Sequence, residues 1–353
     1  MGKSGRIARR LEQCIAVGDD SSSHRAPRAP ERNPRSWAIV LAGGEGVRLR
    51  PLVRQIVGAD RPKQYVPLFG QRSLLRQTLD RVSLVIARER TVVVTASHHV
   101  GYVNEEFAAT PRPTVLAQPL DRGTAAGALY PAHWIASHDP EAIVALFPSD
   151  HLIADDAALM AHVTEVIAWI DTHPEHMVLL GAPPTYPEIE YGWIEPGIPL
   201  GGLSTGAVRT VRRFTEKPSL PQARICLEAG HLWNTSIIVA RVATLVRAGR
   251  KTVPVLSERL SRIERYVGTP QEATAVRHAY DLAPTQNFSR SVLEGCSDML
   301  AVSRMPPTTW CDLGSPDRLM DAVARMRTCP EWAARLLPTA PDHSRLDERV
   351  AAP

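Results

Sequence analysis

Apolar residues along this chain gather in short unbroken runs separated by amphipathic stretches. Trp37 to Leu41, Thr91 to Thr95, Thr114 to Ala117, Ile143 to Phe147 and Met177 to Gly181 have the composition of strands buried on both faces. Between them the period changes. Ser73 is placed to cap a helix whose apolar stripe runs from Leu74 to Ile86 at helical spacing. Thr124 to Ser137 reads as a second helix, and Asp156 to Ile170 as a third, apolar at 159, 160, 163, 166, 167 and 170. This alternation from Ser36 to Gly181 predicts an α/β fold, a largely parallel sheet with helices on both faces. Ligands of such sheets bind at the carboxyl ends of strands.

From about Pro183 the rhythm breaks. Gly and Pro are dense from Tyr191 to Gly202, then Val208 to Thr215 reads as a strand and Pro221 to Ala229 as a helix. A mixed-sheet insertion that closes over a substrate has this pattern. Ala273 to Cys296 shows no legible period. Residues 1–35 have no apolar period either and are expected to be disordered. Residues 328–353, Pro-rich and charged, are expected to be a frayed tail. The folded domain is therefore expected over 36–327.

Charge narrows the partners. The formal net charge is +4, and residues 1–35 alone carry eight basic against four acidic residues, so residues 36–353 are neutral. The excess charge belongs to that N-terminal tail and gives no case for a nucleic-acid-binding face. Five widely spaced cysteines without a C-x-x-C pair argue against a disulfide framework and a zinc site, and fit a reducing cytoplasm. No apolar run approaches the ~18 residues needed to span a bilayer, and the N-terminus offers no secretory apolar stretch. Lysine is rare, four residues beside 37 arginines, which draws the eye to Lys63 and Lys217. A compact ammonium does not substitute for a planar guanidinium.

The chemistry starts directly after the first strand. Leu41 and Ala42 lead into Gly43, Gly44 and Gly46, where backbone N–H groups can approach a phosphate with no Cβ in the way. Arg48 and Lys63 add two cations. A P-loop would need Lys-Ser/Thr directly after the last glycine, and a dinucleotide fingerprint would need glycine at Leu49. Pro148-Ser149-Asp150-His151 follows the strand Ile143–Phe147, and a carboxylate there can hold Mg²⁺ beside substrate phosphates. Gln118 and the turn Arg122-Gly123-Thr124-Ala125 end another strand. Gln118 can present donor and acceptor to a base edge, Gly123 lets the backbone approach, and Thr124 is placed to cap the helix.

The stretch G-G-E-G-V-R-L-R-P-L followed by Arg61-Pro62-Lys63 resembles the signature of sugar-phosphate nucleotidylyltransferases. P-S-D-H, Phe214-Thr215-Glu216-Lys217-Pro218, Trp310-Cys311-Asp312-Leu313-Gly314 and Gln118-Pro119 with R-G-T-A resemble its mannose-1-phosphate guanylyltransferase branch. The resemblance covers about residues 36–320 and implies the Rossmann-like nucleotide-diphospho-sugar transferase fold. It implies that Leu41, Ala42, Gly43, Gly44, Gly46, Arg48, Lys63, Gln118, Gly123 and Thr124 bind the nucleotide. It places Asp312 with Asp150 as the second metal-holding carboxylate, although 162 residues separate them. It further implies that Glu216 takes sugar hydroxyls and Lys217 the sugar phosphate. Tyr191-Gly192-Trp193 and Trp233-Asn234-Thr235 resemble the family segments that line the hexose, with Ser236 standing where the family has glycine.

The implied reaction is GTP plus α-D-mannose 1-phosphate to GDP-mannose and pyrophosphate, with Mg²⁺, catalysed through Arg48, Lys63 and Lys217. Glucose 1-phosphate with another NTP is an alternative, as is a catalytically silent regulatory subunit. A glycosyltransferase would show a D-x-D motif, which the Asp150 region lacks. Long members of the branch carry a phosphomannose isomerase half after the transferase; no such length follows here, and that activity is expected to be absent. Self-association into a homo-oligomer is left open.

Overall fold

The structure, a computed structural model, describes residues 33–326 and 329–336. Its strands are β1 (Ser36–Leu41), β2 (Thr91–Ala96), β3 (Thr114–Gln118), β4 (Ile143–Pro148), β5 (Leu152–Ile153), β6 (Met177–Ala182), β7 (Gly192–Leu203), β8 (Gly206–Glu216), β9 (Leu232–Arg241), β10 (Leu300–Arg304) and β11 (Trp310–Cys311). The helices are α1 (Arg50–Val57), α2 (Leu74–Ser83), α3 (Val100–Glu106), α4 (Gly123–His138), α5 (Asp156–Thr172), α6 (Leu220–Glu228), α7 (Val242–Thr252), α8 (Pro254–Ser261), α9 (Glu272–Leu282), α10 (Pro316–Arg325) and α11 (Glu331–Leu336).

Nine strands form one sheet in the order β3-β2-β1-β4-β9-β6-β10-β8-β7. The pairings make β1, β2, β3, β4, β6, β7 and β10 run one way and β8 and β9 the other. Alternation along the strands divides the core. Trp37 and Ile39 of β1 pack with α4, α7 and α8 on one face, while Ala38 and Val40 pack with α2 and α5 on the other. Burial on both faces explains why β1 reads as an unbroken apolar run.

Register then decides which motifs meet. Leu41 lies opposite Pro148 in the parallel β1–β4 pair, so the glycine turn and Asp150 leave the sheet side by side. The two-residue strands β5 and β11 pair antiparallel, Cys311 opposite Leu152, which carries Asp312 toward His151 and Asp150. Trp193 lies opposite Trp233, and Gly192 opposite Glu216, so three further segments converge.

The helix predicted from Ser73 is present, with Ser73 Oγ accepting from Arg76 N at 3.1 Å. Three regions differ from the pattern-based expectation. The Gly/Pro-rich stretch after Tyr191 is a twelve-residue strand, β7, with register shifts at Pro196 and Pro199. The illegible stretch from Ala273 holds most of α9 and two further turns, Phe288–Leu293 and Glu294–Met299. The expected tail from 328 contains α11, where Trp332 is buried and donates from Nε1 to Leu68 O at 2.7 Å. Trp332 and its buried neighbour Ala333, with Cys329 packed beside them, hold this segment against the domain. The disorder expected for residues 1–35 lies outside the described residues, apart from the turn that opens at Asn33.

Candidate active site at the strand ends

The glycine turn leaves β1 with Ala42 N donating to Val94 O at 2.7 Å. Gly46 has φ +59°, and a Cβ there would stand 3.3 Å from Lys63 N; one on Gly43 would stand 3.1 Å from Gln118 Nε2. Gly44 has open space around it. Gln64, which sequence reasoning passed over, is buried and donates to Ala42 O at 2.9 Å and Gly44 O at 2.7 Å. Tyr65 OH adds a bond to Ala42 O at 3.0 Å. The carbonyl side of the turn is thus held against the protein, as in backbone nests that serve anions.

Lys63 is buried, and its Nζ donates to Asp312 O at 2.6 Å and Leu313 O at 3.1 Å while standing 3.2 Å from Asp150 Oδ2. An ammonium has three donors, and all three are used inside the protein. Lys63 therefore ties the Asp312 loop to Asp150, on the wall of a cavity of about 250 Å³ shared with Gly46, Arg48 and Gly314. Arg48 is half-exposed and reaches Glu190.

Asp312 is held by a residue the sequence did not single out. Buried Arg318, in the first turn of α10, donates from Nη1 to both Asp312 oxygens at 2.8 and 2.7 Å, and from Nη2 to Glu190 at 3.0 Å. Tyr191 OH and Gly314 N donate to Asp312 Oδ1 at 2.8 and 2.9 Å. Burial opposes charge on Asp312, yet His151, Arg318 and Lys63 hold its carboxyl below the usual range. Burial also lowers the His151 pKa, against the pull of Asp150 and Asp312. Arg318, which donates to both Asp312 oxygens, and Lys63, which donates to the Asp312 carbonyl, bring the other two positive charges to this carboxylate.

The pair fits a hard divalent cation in its donor chemistry. Asp312 Oδ2 accepts only from Arg318, and Asp150 Oδ1 has only His151 near it, at 3.8 Å, among the described contacts. Each carboxylate keeps an oxygen with spare lone pairs, and Mg²⁺ prefers such ligands.

A second cavity, about 640 Å³, runs from Gly43 and Gly44 past Gln118 to Gly123, Thr124 and Asn287. Tyr280 OH donates to Gln118 Oε1 at 3.1 Å. Gly123 has φ +76°, and a Cβ there would lie 2.3 Å from Gln286 O. Thr124 does not cap α4. The helix begins one residue earlier with Arg122 at its cap position, and Thr124 Oγ1 instead accepts from Phe288 N at 2.8 Å. The glycine's left-handed turn shifts the helix start, and the hydroxyl is drawn to a partner distant in sequence.

On the other side, Gly192 permits a close approach: a Cβ would stand 2.9 Å from Glu216 Oε2 and 2.7 Å from the Phe214 ring. Burial raises the Glu216 pKa, with Lys217 opposing and Glu294 adding to the rise. Lys217 is exposed, at φ +50°, its N–H donating to Tyr191 O at 3.1 Å. Asn234 is buried and its Oδ1 accepts from Ser236 N at 3.1 Å. Ser236 has φ +60°, so the serine occupies the backbone conformation that favours glycine. Ser236→Gly is expected to raise stability by about 1 kcal/mol, relief of Cβ strain outweighing the added freedom of the unfolded chain. A thermal melt should show a rise of about 2–4 °C; a fall would mean that Ser236 carries no strain.

A family model described as Nucleotidyl transferase matches residues 37–328. The xanthan biosynthesis protein XanB of Xanthomonas campestris pv. campestris is 31% identical over 288 residues, which cover 80% of this chain and 58% of that protein. A mannose-1-phosphate guanylyltransferase of Sinorhizobium fredii is 31% identical over 293 residues, covering 80% and 54%. The chain thus spans little more than half the length of these curated relatives. The solved structure of a mannose-1-phosphate geranyltransferase from Thermus thermophilus matches with a TM-score of 0.65 at 29% identity, over 79% of this chain and 76% of that one. The matched span contains every strand-end motif described above, and the chain belongs to the nucleotidyl transferase family.

Proposed function

We propose that this chain transfers a nucleotidyl group from GTP to α-D-mannose 1-phosphate, releasing pyrophosphate and forming GDP-mannose. The observation that carries the reading is the β5–β11 pairing, which sets Asp312 beside Asp150 at the glycine turn. The curated relatives include proteins named for this activity. The nucleotide lies in the cavity between Gly43 and Thr124, with its base toward Gln118 and its phosphates at Gly44, Gly46 and Arg48. The hexose lies against Gly192, Glu216 and Asn234, and Lys217 holds its phosphate.

A sugar-phosphate oxygen attacks the α-phosphorus in line and pyrophosphate leaves, so positioning and charge stabilisation are the main requirements. Arg48 exchanges Glu190 for the triphosphate. Lys63 fixes Asp150 and the Asp312 loop, and its charge faces the phosphate cavity. Asp150 and Asp312 would hold Mg²⁺, which when bound would supply charge neutralisation at the phosphates. The compartment proposed is the cytoplasm. No described helix is long and apolar enough to cross a membrane, and the four described cysteines are free.

The test is an end-point assay of pyrophosphate release that crosses four NTPs with mannose 1-phosphate and glucose 1-phosphate. GTP with mannose 1-phosphate should lead by at least tenfold, a preference of about 1.4 kcal/mol. A tenfold lead for another NTP removes the guanine assignment and keeps the reaction class. Tight binding of nucleotide sugar without turnover of any pair points to the regulatory reading.

A further inference from the structure

Apart from the carboxylate pair, one other group of described side chains is arranged to hold an ion. Glu45 lies inside the glycine turn, and His98 and His99 stand in the short turn Ser97–His99 that follows β2, the neighbour of β1. His98 Nε2 is 2.7 Å from Glu45 Oε1, and His99 Nε2 is 3.6 Å from the same oxygen. The three ligand atoms lie within 4.8 Å of one another. Arg50 takes the other carboxylate oxygen, Oε2, and so turns Oε1 toward the two imidazoles. His99 is buried against the rings of Tyr65 and Tyr102, while His98 is open to solvent.

We propose that Glu45, His98 and His99 bind a divalent transition-metal ion of the zinc class on the rim of the nucleotide cavity. Two imidazole nitrogens and one carboxylate oxygen suit such an ion and leave a coordination position open. Mg²⁺, which prefers oxygen throughout, is poorly served. Arg50 acts as the outer partner that orients a ligating carboxylate. Glu45 and His98 line the same cavity as Gly43 and Gln118, so the open position lies toward water or a phosphate oxygen there. The ion would also offset a negative charge that otherwise sits inside an anion-binding turn.

The site is tested by calorimetric titration of Zn²⁺ into the metal-stripped full chain, with excess Mg²⁺ present to load the oxygen-ligand pair. One site with Kd of about 10 µM or tighter is expected. His98→Gln should weaken it at least tenfold, and Glu45→Gln with His98→Gln should abolish it. Both altered side chains are solvent-accessible, so the folded state is retained, which circular dichroism checks. Co²⁺ in place of Zn²⁺ should give a spectrum of nitrogen and oxygen ligands. No binding by the wild-type chain, undiminished binding by the double variant, or a thiolate charge-transfer band each overturns the proposal.

Discussion

Asp312→Asn should lower turnover at least a hundredfold and leave the chain folded. The amide keeps the size of the carboxylate and removes its charge, which is the property a divalent cation needs. Arg318 would lose its bidentate partner but keep Glu188 and Glu190, so the buried guanidinium stays paired. The stability loss should therefore be limited to about 1.5–3 kcal/mol, the range of a hydrogen bond to a charged group. Asp150→Asn should behave alike in turnover. Pyrophosphate release measured across Mg²⁺ concentrations, with a thermal melt of each variant, separates the two effects. Near-normal turnover of Asp312→Asn at limiting Mg²⁺ would remove this carboxylate from the metal site.

Much of this site was legible because strand-end chemistry follows the strands. The run from Trp37 to Leu41 locates the glycine turn, and the run from Ile143 to Phe147 locates Asp150. Asp312 was reachable only by resemblance. The link that brings it to Asp150 is a pair of two-residue strands, too short for periodicity and far apart in sequence. Arg318 was invisible for a different reason. An arginine in the first turn of an amphipathic helix reads as a solvated surface residue, and only the tertiary position of Asp312, Glu188 and Glu190 buries it. The cysteine spacing that argued against zinc said nothing of Glu45 and His98, which meet across adjacent strand ends and leave no short spacing to find. The cap position lies two residues before Thr124, at Arg122, because a helix start depends on where the backbone turns. Gly123 turns it one residue before Thr124.

The two motif lysines should separate in kind as well as in kinetics. Lys63 is buried with its three donors used, whereas Lys217 is exposed at a strand end. Lys63→Ala would leave two loop carbonyls and the Asp150 carboxylate without their shared cation. Unpaired buried groups cost about 1–3 kcal/mol each, so the melting temperature should fall by several degrees. Turnover should fall by two orders of magnitude or more, because Asp150 and the Asp312 loop lose their common tie and the phosphate cavity loses a charge. Lys63→Arg should not restore it, since a wide planar head cannot meet three acceptors arranged around a point. Lys217→Ala should leave the melt unchanged and raise KM for the hexose phosphate about ten- to a hundredfold with little change in GTP affinity. A Lys63→Ala chain that melts normally and loses only GTP affinity would mean that the lysine leaves Asp312 and Asp150 to bind phosphate directly. A Lys217→Ala chain that loses GTP and spares the sugar phosphate would reverse the order of the two substrates along the sheet.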